Sequence, residues 1–270
     1  MSEVGLTLRQ VRFTNKSFWR NPASAFFTFA FPLMFLVIFT SLLGKGNVKL
    51  GHTDLSVKTY YVVAMATFGV VTACYTNIAI SVSFNRDAGI LKRTRGTPLH
   101  SAAYMAGRVI HATLVGLLLV VITSAFGAAF YHASVPTGLP LVEFIVTLLV
   151  GSLSFVALAL ALTAVIPNAD AAPAIVNASI LPLFFLSGIF IPLGNDAPAW
   201  IKAVGKIFPV KHFADAMRYA FLGNGSVRTP IGIVHPFQEL FHWSDVLVVG
   251  LWGLAGLVVA SKFFTWEPRK

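Results

Sequence analysis

Most of the ionisable residues with a suggestive arrangement sit in one segment, FNRDAGILKRTRGTPL, at positions 84–99. Arg86, Asp87, Lys92, Arg93 and Arg95 crowd together there, with Ile90 and Leu91 embedded among them. Residues 59–85 before it carry no formal charge, and after it only Arg108 precedes a similar uncharged run, 109–142. Two uses fit a short, basic, partly apolar loop between greasy segments. It can fix topology through its cations alone. It can also dock a soluble partner, with charges for polar contacts and Ile90 and Leu91 as apolar anchors. The helix-compatible run 84–91 and the pair Thr97-Pro98 give the loop more order than topology requires. Thr97 reads as an N-cap and Pro98 as the first helical residue of the next element. Residues 84–91 read as a short helix, with Phe84, Ala88 and Leu91 at helical spacing.

No enzymatic constellation accompanies this loop. The nearest approach to a phosphate-binding G-x-x-x-x-G-K-[ST] is AVGKIF, which has Trp200 where the first glycine is needed. There is no H-E-x-x-H, no G-x-S-x-G and no cysteine cluster; the single cysteine, Cys74, reads as a buried small hydrophobe. No metal-ligand spacing exists. His111 and His132 fall near opposite ends of one apolar run and read as interfacial histidines. Glu143 and Asp170 also fall at the ends of apolar runs. No carboxylate lies in mid-membrane, which argues against a proton-driven carrier.

The elements that must position these residues follow from composition. The chain is 56% hydrophobic and 11% charged, with a mean hydropathy of +0.77. Soluble domains are about a quarter charged, whereas a helix crossing a bilayer needs about 20 apolar residues. Six spans are expected, at roughly 23–43, 59–83, 109–131, 143–166, 172–192 and 244–264. The fold class expected is an all-α polytopic membrane protein, one transmembrane domain over 1–270. The net charge of +10 lies between apolar runs, so it points to headgroups rather than nucleic acid. The first span exceeds the apolar core of a cleavable leader, and no A-x-A-like site follows it. Lys262 can snorkel from the last span.

With six spans, both termini share a side. That side holds Arg9, Arg12, Lys16, Arg20, Arg86, Lys92, Arg93, Arg95, Arg108, Lys262, Arg269 and Lys270, twelve basic residues against eight on the other. The positive-inside bias makes it cytoplasmic. In residues 3–22, Arg9, Arg12, Lys16 and Arg20 recur at helical spacing, and Leu6, Val11 (with Leu8), Phe13 and Phe18 can share a broad apolar stripe, which suits an interfacial helix or a plain topogenic basic N-terminus. Residues 193–243 contain two amphipathic helical stretches, APAWIKAVGKIF and PVKHFADAMRYAFLG, and read as a re-entrant pair or as a loop packed on the spans. Gly223 is a plausible stop for the second. In the fifth span Pro182 should kink the helix. Asn177 and Ser179 nearby should face protein or a cavity, as should Asn77 in the second span with Thr72 and Thr76. A transport pathway and plain helix packing both account for these polar groups. Gly250, Gly253 and Gly256 are spaced for close helix approach, without forming G-x-x-x-G.

The loop RDAGILKRTRGTPL at 86–99 resembles the pattern R-E-x-G-T-L-x-R-L-R-x-T-P-L of type-2 ABC exporter permeases of the daunorubicin-resistance kind, with Asp87 for Glu and departures at Ile90 and Thr94. LPLFFLSGIFIPL, the segment 197–223 and the terminal FFTWEPRK are similar to other signatures of that family in the expected order. The resemblance implies a six-span subunit with an N-terminal elbow helix (3–22), a coupling helix (84–99) that docks in a separate ATP-binding subunit, and outer re-entrant helices (193–243). Docking would involve Arg86, Asp87, Gly89, Ile90, Leu91, Lys92, Arg93, Arg95, Thr97 and Pro98. It further implies no cofactor on this chain, ATP and Mg bound by the partner subunit, and a second permease subunit, identical or not, in the bacterial cytoplasmic membrane. Candidates for the substrate path are then Asn77, Asn177, Ser179, Pro182 and Phe185; those for an outer gate are Trp200, Phe208, Phe213 and Arg218. The cargo implied is hydrophobic or amphipathic: a drug, a lipid or a secondary metabolite. The alternatives are a polysaccharide-exporting permease, an ion-coupled carrier and a membrane-anchoring protein without transport.

Overall fold

The structure is a computed structural model that describes residues 3–50, 53–95, 101–133, 135–193, 197–222, 227–229, 232–234 and 243–267. Helix α1 (Glu3–Trp19) leads into α2 (Pro22–Leu43), whose start is capped by the Asn21 side chain. A short antiparallel hairpin, β1 (Asn47–Leu50) and β2 (Thr53–Ser56), then feeds α3 (Val57–Val71). A single π-helical turn, Thr72–Thr76, joins α3 to α4 (Asn77–Asp87), and the Asn77 N–H bonds five residues back to Thr72 O. After a left-handed Gly89 (φ 68°) come α5 (Ile90–Arg95), α6 (Ser101–Tyr131) and α7 (Leu139–Thr163). Next are α8 (Ala172–Leu186), α9 (Ala199–Gly205) and α10 (Pro209–Leu222). A second hairpin, β3 (Val227–Thr229) and β4 (Gly232–Val234), precedes α11 (Trp243–Phe263).

The protein is thus overwhelmingly helical, and neither small hairpin was foreseen in the sequence. Among the described residues, five helices are long and apolar enough to cross a membrane: Pro22–Leu43, Val57–Asp87, Ala103–Tyr131, Leu139–Thr163 and Trp243–Phe263. The expected fifth span, 172–192, is helical only over Ala172–Leu186. At 1.5 Å per residue that helix is about 22 Å long, short of the ~30 Å hydrocarbon layer. It ends because Gly188 adopts a left-handed φ of 75° and the Ser187 and Ile189 N–H groups fold back onto Leu183 O and Phe184 O. Pro182 lies inside this short helix.

The α3–α4 helix is the centre of the bundle. Tyr60 through Met65 are each at most 2% exposed, and burial continues to Val82 and Arg86. A helix apolar all round belongs in the middle of a packed structure. Its neighbours approach through small residues. A Cβ built at Gly127 of α6 would lie 2.3 Å from a Val62 methyl, and one at Gly151 of α7 would lie 2.2 Å from the Phe213 ring. Helices α7 and α11 are in closest contact at Gly253 and Gly256, where added Cβ atoms would meet Ser154 and the Ala157–Leu158 backbone. Gly250, the third glycine of that series, has only ordinary contact, 3.8 Å to Val150.

Helix α10 carries the largest polar network. Asp215 accepts from Lys211 Nζ at 2.8 Å and from Arg218 Nη1 at 2.7 Å. Arg218 is 3% exposed. It also donates to Ser187 O and lies over the Tyr60 ring, 4.8 Å from its centroid. A buried guanidinium is tolerated only when paired in this way.

Two outcomes follow for stability. Gly256→Ala places a Cβ against backbone that cannot move aside, so it should cost about 1–3 kcal/mol; Gly250→Ala should be silent. The check is the apparent melting temperature of each variant in detergent, followed by fluorescence-detected size exclusion. By the same assay Asp215→Ala, which strands the Arg218 charge, should cost about 3–5 kcal/mol, and Lys211→Ala clearly less.

Candidate functional site

The basic segment is built by a break in the helix. The sequence suggested one helix over 84–91, with Phe84, Ala88 and Leu91 on a common face. Instead α4 stops at Asp87, the Ala88 N–H bonds to Phe84 O, and the Gly89 N–H bonds to Arg86 O. The left-handed Gly89 then redirects the chain, and its carbonyl accepts from the Arg93 N–H of α5. Phe84 and Leu91 therefore part: Phe84 is 46% exposed and Leu91 is fully buried. Thr97 and Pro98 lie outside the described residues, as does Gly223.

Burial sorts the expected docking residues into two groups. Lys92, Arg93 and Ile90 are exposed. Leu91 roots α5 in the core and cannot serve as an outward anchor. Arg86 is not a surface contact either. It is 1% exposed, its Nη1 donates to Thr163 O at 2.9 Å and its Nη2 to Ile166 O at 2.8 Å. Its Nε pairs with Asp87 Oδ1 at 3.2 Å. Asp87 Oδ2 in turn accepts from the Ala169 N–H. These two residues hold the turn between α7 and α8, because carbonyls at a helix C-terminus and N–H groups before the next helix lack internal partners.

Both ends of the chain gather at this end of the bundle. Helix α1 lies against α6, where a Cβ at Gly107 would strike Gln10 at 2.5 Å. Phe18 packs edge-on to His111 and against Phe29. Arg9, Arg12, Lys16 and Arg20 are turned outward. Phe13, on the expected apolar stripe, is 68% exposed, as a side chain facing a membrane interface would be. After α11, Trp266 meets Tyr104 of α6, ring centroids 5.9 Å apart. Tyr104 Oη accepts from Arg108 Nε, and Arg108 Nη1 donates to Ser81 Oγ at 2.9 Å. No sequence motif marked Tyr104, Arg108 or Trp266 as partners; the first two share α6, and Trp266 reaches them from the segment after α11.

The polar residues proposed for a substrate path are placed differently from one another. Asn77 of α4 donates to Thr28 Oγ1 of α2 at 3.4 Å, and Ser179 of α8 bonds Tyr75 Oη at 2.9 Å. Both are helix-to-helix bonds. Asn177, Pro182 and Phe185, with Leu181, form the outward stripe of α8. Of the outer residues, Trp200 is 63% exposed and Phe208 stacks on Trp252 at 6.2 Å. Phe213 and Arg218 are core residues, the first seated on Gly151 and against Phe155. His212, overlooked in the sequence, ties α10 to α11: Nδ1 faces Asp245 Oδ1 at 2.5 Å and Nε2 faces Lys206 O at 2.8 Å. Among the described residues, no group of His, Cys, Asp or Glu could hold a metal ion.

Comparisons with known proteins agree on one family. Residues 7–222 match the ABC-2 type transporter family. The chain is 24% identical over 197 residues to the probable multidrug ABC transporter permease YbhR of Escherichia coli, covering 68% of this chain and 52% of that one. It therefore spans about half the length of that relative. It is 27% identical over 208 residues to the probable doxorubicin resistance ABC transporter permease protein DrrC of Mycobacterium tuberculosis, with 74% and 70% covered. Against the inner membrane transport permease YadH of E. coli it is 27% identical over 233 residues, with 78% and 82% covered. With well over half of its length matched, the chain belongs to the ABC-2 type transporter family, as a multi-pass membrane protein.

Proposed function

We infer that this chain is the membrane half of an ATP-driven exporter in a bacterial cytoplasmic membrane, moving a hydrophobic or amphipathic cargo outward. The observation that carries the reading is α5. It is a short helix anchored by a buried Leu91, presenting Ile90, Lys92 and Arg93 to a partner. A purely topogenic loop has no need of an ordered, rooted helix. The partner is a separate ATP-binding subunit, which holds ATP and Mg. Closure of two such subunits draws two α5 helices together and biases the membrane helices toward an outward-open state. The multidrug and doxorubicin-resistance names of the relatives and the apolar spans support a drug-like or lipid-like cargo.

A second permease subunit completes the transporter. Its supporting feature is the outward stripe of α8, which sets the Asn177 amide among Leu181, Pro182 and Phe185. An amide facing lipid alone is costly, whereas across a helix interface it gains a partner. Cargo would pass along that interface. Both termini and α5 lie at one end of the bundle, and the positive-inside count makes that end cytoplasmic. An even number of crossings follows, with α8 and the turn after it as the sixth.

The test is a pull-down of the tagged chain from its native membrane into nanodiscs, with ATP hydrolysis assayed on the eluate. A stoichiometric ATP-binding subunit is expected. Replacing Arg93 and Arg95 by Glu juxtaposes like charges, which costs several kcal/mol, so recovery of that subunit should fall by at least about tenfold. Normal recovery and transport in this variant, at normal expression, would sink the docking assignment.

A further inference from the structure

The segment that bears α5 is bound to the α8 segment at three heights. At the α5 end, Asp87 Oδ2 accepts from the Ala169 N–H, and Arg86 beside it holds Thr163 O and Ile166 O. Midway, Tyr75 Oη and Ser179 Oγ are 2.9 Å apart. At the far end, Tyr60 Oη donates to Gly188 O. The partners run antiparallel, 87 with 169, 75 with 179 and 60 with 188. The α3–α4 helix and the α8 segment are therefore fastened along their shared length.

The geometry points to Arg86 and Asp87 as a clasp that passes movement of α5 to α8, a positioning role distinct from docking. This rests on the exporter reading above. The guanidinium has all three nitrogens engaged within the chain and is 1% exposed, so it has nothing to offer a partner surface. It grips two carbonyls at the end of α7, where a cation also complements the helix dipole. Asp87 grips the backbone on the other side of the same turn. Hydrogen bonds tolerate only a few tenths of an ångström before weakening. A shift of α5 thus cannot be absorbed between α4 and the α7–α8 turn. It is delivered to the helix that carries Pro182 and the outward Asn177 stripe.

Leu181, exposed on α8, takes the probe. In a Cys74→Ala background, Leu181→Cys is labelled with bimane and the chain is purified with its ATP-binding subunit in nanodiscs. The intact clasp should give a change in bimane emission on adding ATP with vanadate. Arg86→Gln should abolish that change while ATP-binding subunit and hydrolysis are retained. Asp87→Asn, milder for folding, should do likewise, and Asp87→Glu should restore the response. A response that survives both variants overturns the clasp. So does an unresponsive probe in the parent, or loss of the ATP-binding subunit from the variants, which would return these residues to docking. If the parent chain brings down no ATP-binding subunit at all, the exporter reading itself has failed, not the clasp.

Discussion

Inside a bilayer no water is at hand to satisfy a polar group, and an unpaired one costs several kcal/mol. The central α3–α4 helix is where this constraint acts most strongly, because it is buried against protein on nearly every side. Its three tyrosines, Tyr60, Tyr61 and Tyr75, must each find a hydrogen-bond partner, and all three find it in α8 or the turn that follows it. Asn77 finds Thr28, and Arg86 finds the end of α7. The arrangement of the surrounding helices is thus fixed by a few polar groups that have nowhere else to go. Apolar burial supplies the bulk of the attraction but little of the direction, since lipid tails are as apolar as leucine.

Much of this was legible in the residues. Runs of uncharged sequence marked the long helices, and the segments around Trp200 and 209–222 declared themselves as amphipathic. The effect of Gly89 was not foreseen: helical spacing from Phe84 to Leu91 suggested one face, and a single left-handed residue separated the two. The fifth span misled for a similar reason. LPLFFLSGIFIPL is apolar throughout, and hydropathy does not register that the chain turns at Gly188.

The burial of Arg86, Leu91, Phe213 and Arg218 escaped the sequence for a different reason. A cation in a basic loop and an aromatic in an amphipathic segment look like surface features in one dimension. Whether they are depends on carbonyls and glycines far along the chain, Thr163 and Ile166 for Arg86, Gly151 for Phe213. The best signal was indirect. Tyrosines and arginines flanking a long uncharged helix must be paired, even though their partners cannot be named from spacing. The exposed remainder, Ile90, Lys92 and Arg93, is a smaller and better-defined contact surface than the whole motif suggested.

The π-helical turn at Thr72–Thr76 gives the central helix one residue more than its rotation needs, a phase lag of about 100°. Tyr60 lies on one side of that lag, Tyr75 within it, and Asp87 beyond it. All three nevertheless address the same neighbouring segment. A helix of uniform pitch would drift around its own axis over these 28 residues and aim its two ends at different neighbours. The lag resets the winding midway, so that one helix keeps a single bearing from the far end of the bundle to the end that bears α5.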